Sequence, residues 1–570
     1  MILFYDWEVF RWDNLVVIID PINREEHVFI NDRNGFVEFY NKHKNDIWCG
    51  FNSRAYDQWI TKAVIAGFDP YSMNDWIINQ KRKGWEFSDL LRNIQLYDYD
   101  CFIGYYGLKT LEGFQGNNIK ESSVPFNIDR KLTAAELDET LKYCRNDVME
   151  TIKVFMQRKE EFDSQMGLLK EFNLPLSCIS KTKAQLSAYI LGARRQERND
   201  EFDFKIVNTL KLSKYKDIAD WYKNPLNWDY EKEQVVKVAG IDHTFSYGGL
   251  HGSKCNEIIE GFLVNMDVQS YYPSLMIEYG FGSRNCTLFH KYKEIYEKRL
   301  KLKHEGKKKE QAPLKIVLNG TYGATKDRYN PMYDPRQANN VCINGQLLLL
   351  DLIEKVEDVC EILNSNTDGI LVKLKNKEDY DKLKEICREW QDRTKMVLEF
   401  DEYRKFIVKD VNNYLLIPFG ELYDDKGKPQ WKSKGAYVKP LSSLDYDLAI
   451  LNEAVVNYFV HNIPVEKTIM ECDELVKFQQ IVKVSSKYNH ALHGDKKLND
   501  RTLRVFASCD KNDGGVFKQK IDGNPEKFAN SAEHCFIIND DINNMKVPKK
   551  LNRQFYIDMA NKRISQFLGE

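Results

Sequence analysis

Acidic residues occur at spacings that bring carboxylates together. Asp6 and Glu8 follow the apolar run Ile2 to Tyr5. On a strand, residues i and i+2 face the same way, so both carboxylates can reach one point. A second apolar run leads into Asn52-Ser-Arg-Ala-Tyr-Asp57. Tyr143 and Asp147 stand four apart and share a helix face. Four acids and a tyrosine on separate elements suit two-metal hydrolysis of a phosphodiester. Two divalent ions ~3.5–4 Å apart need several carboxylates, one ion generating hydroxide and the other stabilising the leaving oxygen. A tyrosine hydroxyl can orient the attacking water. Further on, Asp267 ends an apolar strand, and Asp368 sits in Asn366-Thr-Asp-Gly369 between two apolar runs. Alone, the first pair would be a solvated strand end and the last tetrapeptide an ordinary hairpin turn.

The elements that would carry these residues can be read from pattern. The first 170 residues alternate short apolar runs with helical stretches, an α/β pattern. A capping box, Thr133-Ala-Ala-Glu136, opens a helix carrying Leu137, Leu141, Tyr143 and Val148. Residues 171–245 are mixed, and a strand is expected over Phe262 to Met266. Lys291 to Lys315 is strongly basic, with ten Lys/Arg against four Glu. Residues 340–420 return to strands and helices, including a hairpin-like ILNSNTDGILVKL. The chain then becomes polar and Lys-rich, and ends in an amphipathic helix with Ile557, Ala560, Ile564 and Phe567 on one face.

Composition narrows the classes. A chain of 570 residues suggests about three to four domains. Hydrophobic residues at 43% exclude a disordered chain. No apolar run approaches the ~20 residues of a membrane span. The N-terminus has no basic region and carries acids at positions 6 and 8, so no secretory signal is expected. Twelve scattered cysteines without a CxxC argue against zinc or iron–sulfur sites and fit a reducing cytoplasm. Any metal should therefore be held by carboxylates, which suits magnesium or manganese. The formal charge of −2 taken alone argues against a polyanion partner, but segment 291–315 alone holds a surplus of six positive charges. Together with the lysines after residue 430, it offers a sequence-independent grip on phosphates.

In order and spacing, D-x-E, then N-x3-(F/Y)-D, then Y-x3-D resemble the motifs of DEDDy-type proofreading exonucleases. The resemblance implies Asp6, Glu8, Asp57 and Asp147 as metal ligands, Tyr143 as a catalytic partner and Asn52 as a DNA contact. Met266-Asp-Val-Gln-Ser-Tyr-Tyr-Pro-Ser274, Lys315-Ile-Val-Leu-Asn-Gly-Thr-Tyr-Gly323 and Asn366-Thr-Asp368 look like the three motifs DxxSLYPS, KxxxNSxYG and DTD of family B DNA polymerases, in that order. Tyr247-Gly248-Gly249 sits where that family links its two halves. The resemblance covers about residues 1 to 420 and is to the compact bacteriophage type.

What it implies is specific. Asp267, Asp368 and the Val268 backbone would hold the two ions of a polymerase centre. Arg299, Lys303, Lys315 and Asn319 would meet the triphosphate, with Ser270 and Tyr271 beside it. Tyr272 would lie under the incoming sugar and exclude a 2′-hydroxyl. Tyr322 and Gly323 would pack near the nascent pair, and Tyr414 and Lys434 near the primer. Two Mg2+ or Mn2+ ions are expected in each active site. The implied architecture is an α/β and α+β multidomain chain: an RNase H-like exonuclease at 1–170, a connecting region at 171–260, palm at 261–281, fingers at 282–345, palm again at 346–425 and thumb at 426–570.

The chain departs from the pattern at three places. Asn366 replaces the first acid of DTD, Gly320 the serine of the second motif, and Asn412-Asn413-Tyr414 keeps only the tyrosine of K-x-Y. Forty residues separate Ser274 from Lys315 and 42 separate Gly323 from Asn366, too few for the insertions of protein-primed polymerases. A nucleic-acid primer is therefore expected. The expected partners are primer-template DNA and dNTPs, with a helicase, primase or single-strand-binding protein as helpers, acting on a monomer in the cytoplasm, that of an infected bacterium if the chain is viral. Two rivals are an exonuclease with a degenerate, DNA-binding polymerase half, which Asn366 motivates, and a non-catalytic replication scaffold.

Overall fold

The computed structural model describes residues 1–102 and 104–570. They form two compact units: residues 1–180, 441–450 and 469–556 in the first, and 181–440, 451–468 and 557–570 in the second. The stretch 426–570, expected as one domain, is thus divided between the units.

The first unit is built on a five-stranded sheet: β1 (Ile2–Val9), β2 (Asn14–Asp20), β3 (Glu25–Ile30), β4 (Ile47–Gly50) and β5 (Tyr97–Asp100), in the order β3-β2-β1-β4-β5. The hairpin pairs are antiparallel, whereas β1–β4 and β4–β5 are parallel. Leu3–Tyr5 and Trp7–Val9 are buried, so β1 is a central strand covered on both faces. Three helices matter to the chemistry: α1 (Asp57–Ala66), α2 (Leu108–Phe114) and α3 (Ala134–Gln157). The expected capping box opens α3: Thr133 Oγ1 accepts from the Glu136 amide at 3.3 Å, and the Glu136 carboxylate accepts from the Thr133 amide at 2.8 Å. Helix α3 packs on β1 and β2 through buried Thr140, Cys144, Val148 and Thr151.

The second unit contains α4 (Lys183–Ile190) and a nine-stranded antiparallel sheet ordered β14-β13-β12-β9-β11-β10-β8-β7-β6. Its strands are β6 (Gln234–Val238), β7 (Ile241–Phe245), β8 (His251–Ser253), β9 (Glu257–Val268), β10 (Cys360–Asn366), β11 (Gly369–Leu374), β12 (Leu398–Asp410), β13 (Asn413–Pro418) and β14 (Lys432–Lys434). Between β9 and β10 run α5 (Tyr271–Glu278), α6 (His290–His304), α7 (Lys308–Lys326) and α8 (Pro335–Val356), and α9 (Asp379–Thr394) follows β11. The basic segment becomes the packed pair α6 and α7.

Helix α8 is buried along nearly its whole length, and its polar residues are paired. Asn340 and Asn344 accept the amides of Lys205 and Val207, and Asp351 accepts the amide of Lys211 and the Arg393 guanidinium. Part of the expected connecting region is therefore hydrogen-bonded along the central helix, leaving buried amides satisfied. At the C-terminal helix, Ile557, Ala560, Ile564 and Phe567 are all buried, as the pattern implied.

Residues 480–537 return to the first unit as two small sheets. One is ordered β15-β18-β21 and the other β17-β16-β19-β20. Their strands are β15 (Gln480–Lys483), β16 (Tyr488–His493), β17 (Lys496–Leu498), β18 (Thr502–Ala507), β19 (Val516–Lys520), β20 (Glu526–Lys527) and β21 (Cys535–Ile537). Strands β15 and β18 pack on α2.

Candidate active sites

The first site is a cleft of about 570 Å³ at one end of the five-stranded sheet. It gathers Asp6, Glu8, Asn52, Asp57, Tyr143 and Asp147, every residue the exonuclease-like motifs singled out. The two-residue period of β1 supplies Asp6 and Glu8. Asp57 opens α1, and its Oδ1 accepts the Trp7 amide at 3.2 Å, which ties it to the strand between the two acids. Asn52 holds φ at +60°, a left-handed turn that asparagine tolerates. Tyr143 and Asp147 come from successive turns of α3. Between them, Cys144 donates to the Asp6 carbonyl at 3.3 Å, its thiol kept protonated by burial and the neighbouring acids.

The electrostatics of this cleft call for cations. Burial, then Asp57 and Glu8, push the Asp6 carboxyl well above the usual carboxylate range. Burial, then Asp147 and Asp57, do the same to Glu8. Burial lifts Asp57 to about 8, and Asp147 is raised by burial too. Oxygen donors that repel one another in this way fit hard divalent ions such as Mg2+ or Mn2+. A group of Asp6, Glu8 and Cys144 donor atoms lies within 4.8 Å of one another.

Sequence reasoning missed one cation already present. Lys109 on α2 donates to Asp147 Oδ1 at 3.0 Å, pairs with the buried Glu112, and lies 4.6 Å from the centre of the Tyr143 ring. The only signal was a Lys-x-x-Glu spacing on a short helix. Phe126, 54% exposed and stacked on Phe10, forms an apolar wall of the same cleft.

The second site lies on the nine-stranded sheet. Asp267 ends β9 and Asp368 occupies the two-residue turn of the β10–β11 hairpin. The strands register Gly369 against Asp267, and the Val268 amide donates to the Asp368 carbonyl at 2.7 Å. A Cβ at position 369 would fall 2.1 Å from Asp267 Oδ1, so only glycine permits this approach. Asn366 Oδ1 accepts the Thr367 amide at 3.1 Å, so the residue replacing an acid caps the turn.

Lysines face this pair. Lys432 reaches Asp401 at 2.6 Å and Asp267 at 3.9 Å. Burial raises Asp267, Lys432 opposes the shift and Asp368 adds to it. Burial raises Asp368 as well, against Lys434 and Lys432. Lys434 is registered across from Tyr414 and lies 5.7 Å from its ring centre. Lys432 and Asp401 were not singled out from sequence. Lys432 shares the period-two face of Lys434, the one signal available.

The residues expected to meet a nucleotide divide. Ser270 is strained, with φ at +48°, and its hydroxyl accepts from Arg299 at 3.2 Å, while Arg299 Nε is buried without a partner. Lys303, one turn on, pairs with Glu399 at 2.8 Å, directly across the sheet from Asp267. Lys315 and Asn319 are exposed, one turn apart on α7. The rings of Tyr272 and Tyr322 stand 4.4 Å apart. Tyr271 instead faces the core, its hydroxyl donating to the Gly345 carbonyl at 2.7 Å. Gly320 lies against α4, where a Cβ would press on Ser187 Oγ at 3.2 Å. A Cβ on Gly249 would meet Thr367 Oγ1 at 2.4 Å, which places Tyr247-Gly248-Gly249 against the Asp368 turn. The Tyr247 ring itself is buried, its hydroxyl donating to the Asn227 carbonyl at 2.9 Å. Gly323 is exposed.

Comparisons with known proteins add little. No family model matches. A stretch of 76 residues, 13% of the chain, is 40% identical to an uncharacterized mitochondrial protein, ymf34, of Marchantia polymorpha, and spans 96% of it. Over that stretch the chain belongs to the family of the Marchantia protein. Among solved structures, the family B DNA polymerase from the hyperthermophilic archaeon Pyrobaculum calidifontis is similar at a TM-score of 0.45 and 14% identity, covering all of this chain and 78% of that one.

Proposed function

We propose that the chain is a template-directed DNA polymerase with 3′→5′ proofreading, extending a nucleic-acid primer during genome replication of a bacteriophage. The observation carrying this reading is the pairing of Asp267 with Asp368 at a glycine-locked hairpin, with a second, separate carboxylate cleft in the first unit. In this reading residues 1–170 act as an RNase H-like exonuclease, 261–281 and 346–425 as palm and 282–345 as fingers, with the thumb supplied by the part of 426–570 that stays in the second unit.

Two Mg2+ or Mn2+ ions, held by Asp267, Asp368 and the Val268 backbone, would activate a primer 3′-hydroxyl and neutralise the triphosphate. The chain's own groups do the rest. The unpaired Arg299 Nε, Lys303 once released from Glu399, Lys315 and Asn319 would bind phosphate oxygens. Tyr272, braced by Tyr322, forms a wall against a 2′-hydroxyl. Lys432 and Lys434 offer cations where K-x-Y lacks its lysine, beside the primer terminus, with Tyr414. Tyr247-Gly248-Gly249 and Tyr322-Gly323 line the DNA path.

In the first cleft, Asp6, Glu8, Asp57 and Asp147 would hold two further ions. The Tyr143 hydroxyl stays protonated, because burial and then Asp147 raise its pKa, so it can orient a water by donating to it. Lys109 fixes the Asp147 rotamer, and Asn52 would meet the strand.

Asn366 favours a second reading, an exonuclease whose polymerase half only binds DNA. The experiment that separates them is extension of a primed template with Mg2+ and dNTPs. Extension supports the polymerase, and degradation alone supports the second reading. Helicase, primase and single-strand-binding proteins are proposed helpers of a monomer working in the cytoplasm. Among the described residues no helix is long and apolar enough to cross a membrane.

A further inference from the structure

The small sheet β15-β18-β21 lies far along the sequence from the carboxylate cleft, yet it grips the helix that supplies its lysine. Arg504 on β18 is fully buried. Its guanidinium donates to the carbonyls of Gly113 at 3.3 Å and Asn117 at 2.5 Å, at the end of α2 and just beyond it. It also donates to the Asp540 carbonyl at 2.6 Å and Gln479 Oε1 at 2.9 Å. Gln479 in turn donates to the Phe114 carbonyl at 3.1 Å. The last carbonyls of a helix have no partner within the helix, and a cation there also meets the negative end of its dipole.

The neighbouring backbone continues the join. The Ile119 amide donates to the Asn539 carbonyl at 2.8 Å and the Ile542 amide to the Gly116 carbonyl at 2.9 Å. Gly113 is a point of close packing, since a Cβ there would stand 2.9 Å from Ile481 of β15. Helix α2 is seven residues long, about two turns, so it transmits a shift at its end to its start. At that start Lys109 bonds Asp147 and Glu112.

We propose that Arg504 is a positioning residue of the carboxylate cleft: through α2, the β15-β18-β21 sheet sets where Lys109 stands against Asp147. This inference rests on the exonuclease reading. It makes the β15-β18-β21 sheet part of the hydrolytic apparatus rather than an appendage to it.

The test uses the full chain, a 5′-labelled single-stranded oligonucleotide and Mg2+ without dNTPs. Lys109→Met should slow degradation about 10- to 100-fold, as loss of a supporting partner of a metal-ligating carboxylate does. Arg504→Lys, which cannot reach all of the acceptors, should slow it within the same range. The double variant should be no slower than Lys109→Met, because both changes act through one contact. Hydrogen exchange in the metal-free protein should rise over 108–117 in Arg504→Lys and stay unchanged over 134–157. Gly113→Ala, which removes no polar group, should slow degradation in the same way and serves if Arg504→Lys does not fold. Degradation at the parent rate in these variants, or losses that multiply in the double variant, would overturn the proposal. Asp6→Ala with Glu8→Ala separates the levels. If that variant still degrades the strand, the exonuclease reading itself fails. If it is inactive while Arg504→Lys degrades the strand at the parent rate, only the positioning role fails.

Discussion

Gly369 shows how one residue type decides whether the second centre exists. Its missing Cβ leaves room for Asp267 and for the Met266 carbonyl, which a Cβ would approach to 2.8 Å, so Gly369→Ala must displace the turn from β9. A misplacement of that size should lower primer extension on the order of 100-fold while the thermal midpoint moves little, read by single-turnover extension beside a melting curve. Asp98 carries a different residue-scale expectation. It is buried, accepts the Tyr5 hydroxyl at 2.9 Å, and is pushed up to about 7 by burial and then by Asp100. Its unfolded value is ~3.9, so the folded chain keeps a proton that the unfolded chain has lost. That contribution is complete below pH ~4 and is lost as pH rises through 7, at up to about 1.4 kcal/mol per pH unit. Asp98→Asn has no proton to lose, so its stability relative to the parent should increase from pH 5 to pH 8 in urea unfolding. A constant difference across that range would refute the assignment.

At the scale of elements, α3 positions both Tyr143 and Asp147, and its start is fixed by the Thr133–Glu136 box. Thr133→Ala should cost about 1 kcal/mol, seen as a lower urea midpoint, and should leave the rate per folded molecule unchanged. This element was legible in the sequence because its signals are local: a cap, a 3.6-residue period and two candidate site residues one turn apart. The Asn366–Gly369 hairpin was legible for the same reason. Lys109 was not. Its importance comes from where α2 lies beside α3, a tertiary relation with no local signature. Lys432 and Asp401 escaped likewise, because cross-strand neighbours are fixed by sheet order rather than by spacing along the chain. Tyr271 went the other way: its motif marks it for the nucleotide, while packing turns its ring to the core.

Across the molecule, strands and helices carrying the motifs fell where the apolar periodicity put them, but the grouping of the C-terminal stretch did not. Residues 469–556 join the first unit through a buried arginine and backbone pairings, and those contacts reach from residue 504 back to 113. Nothing in composition announces such a return. The charge balance tells a similar story. A net charge of −2 sums a basic helix pair and two acidic clusters that lie at different places. The central claim is that these centres do different chemistry. It is tested most directly by following one labelled primer-template in Mg2+, with and without dNTPs, for Asp368→Ala and for Asp6→Ala with Glu8→Ala. The expected result is a double dissociation: the first variant degrades but does not extend, and the second extends but does not degrade. Normal extension by Asp368→Ala would contradict the account.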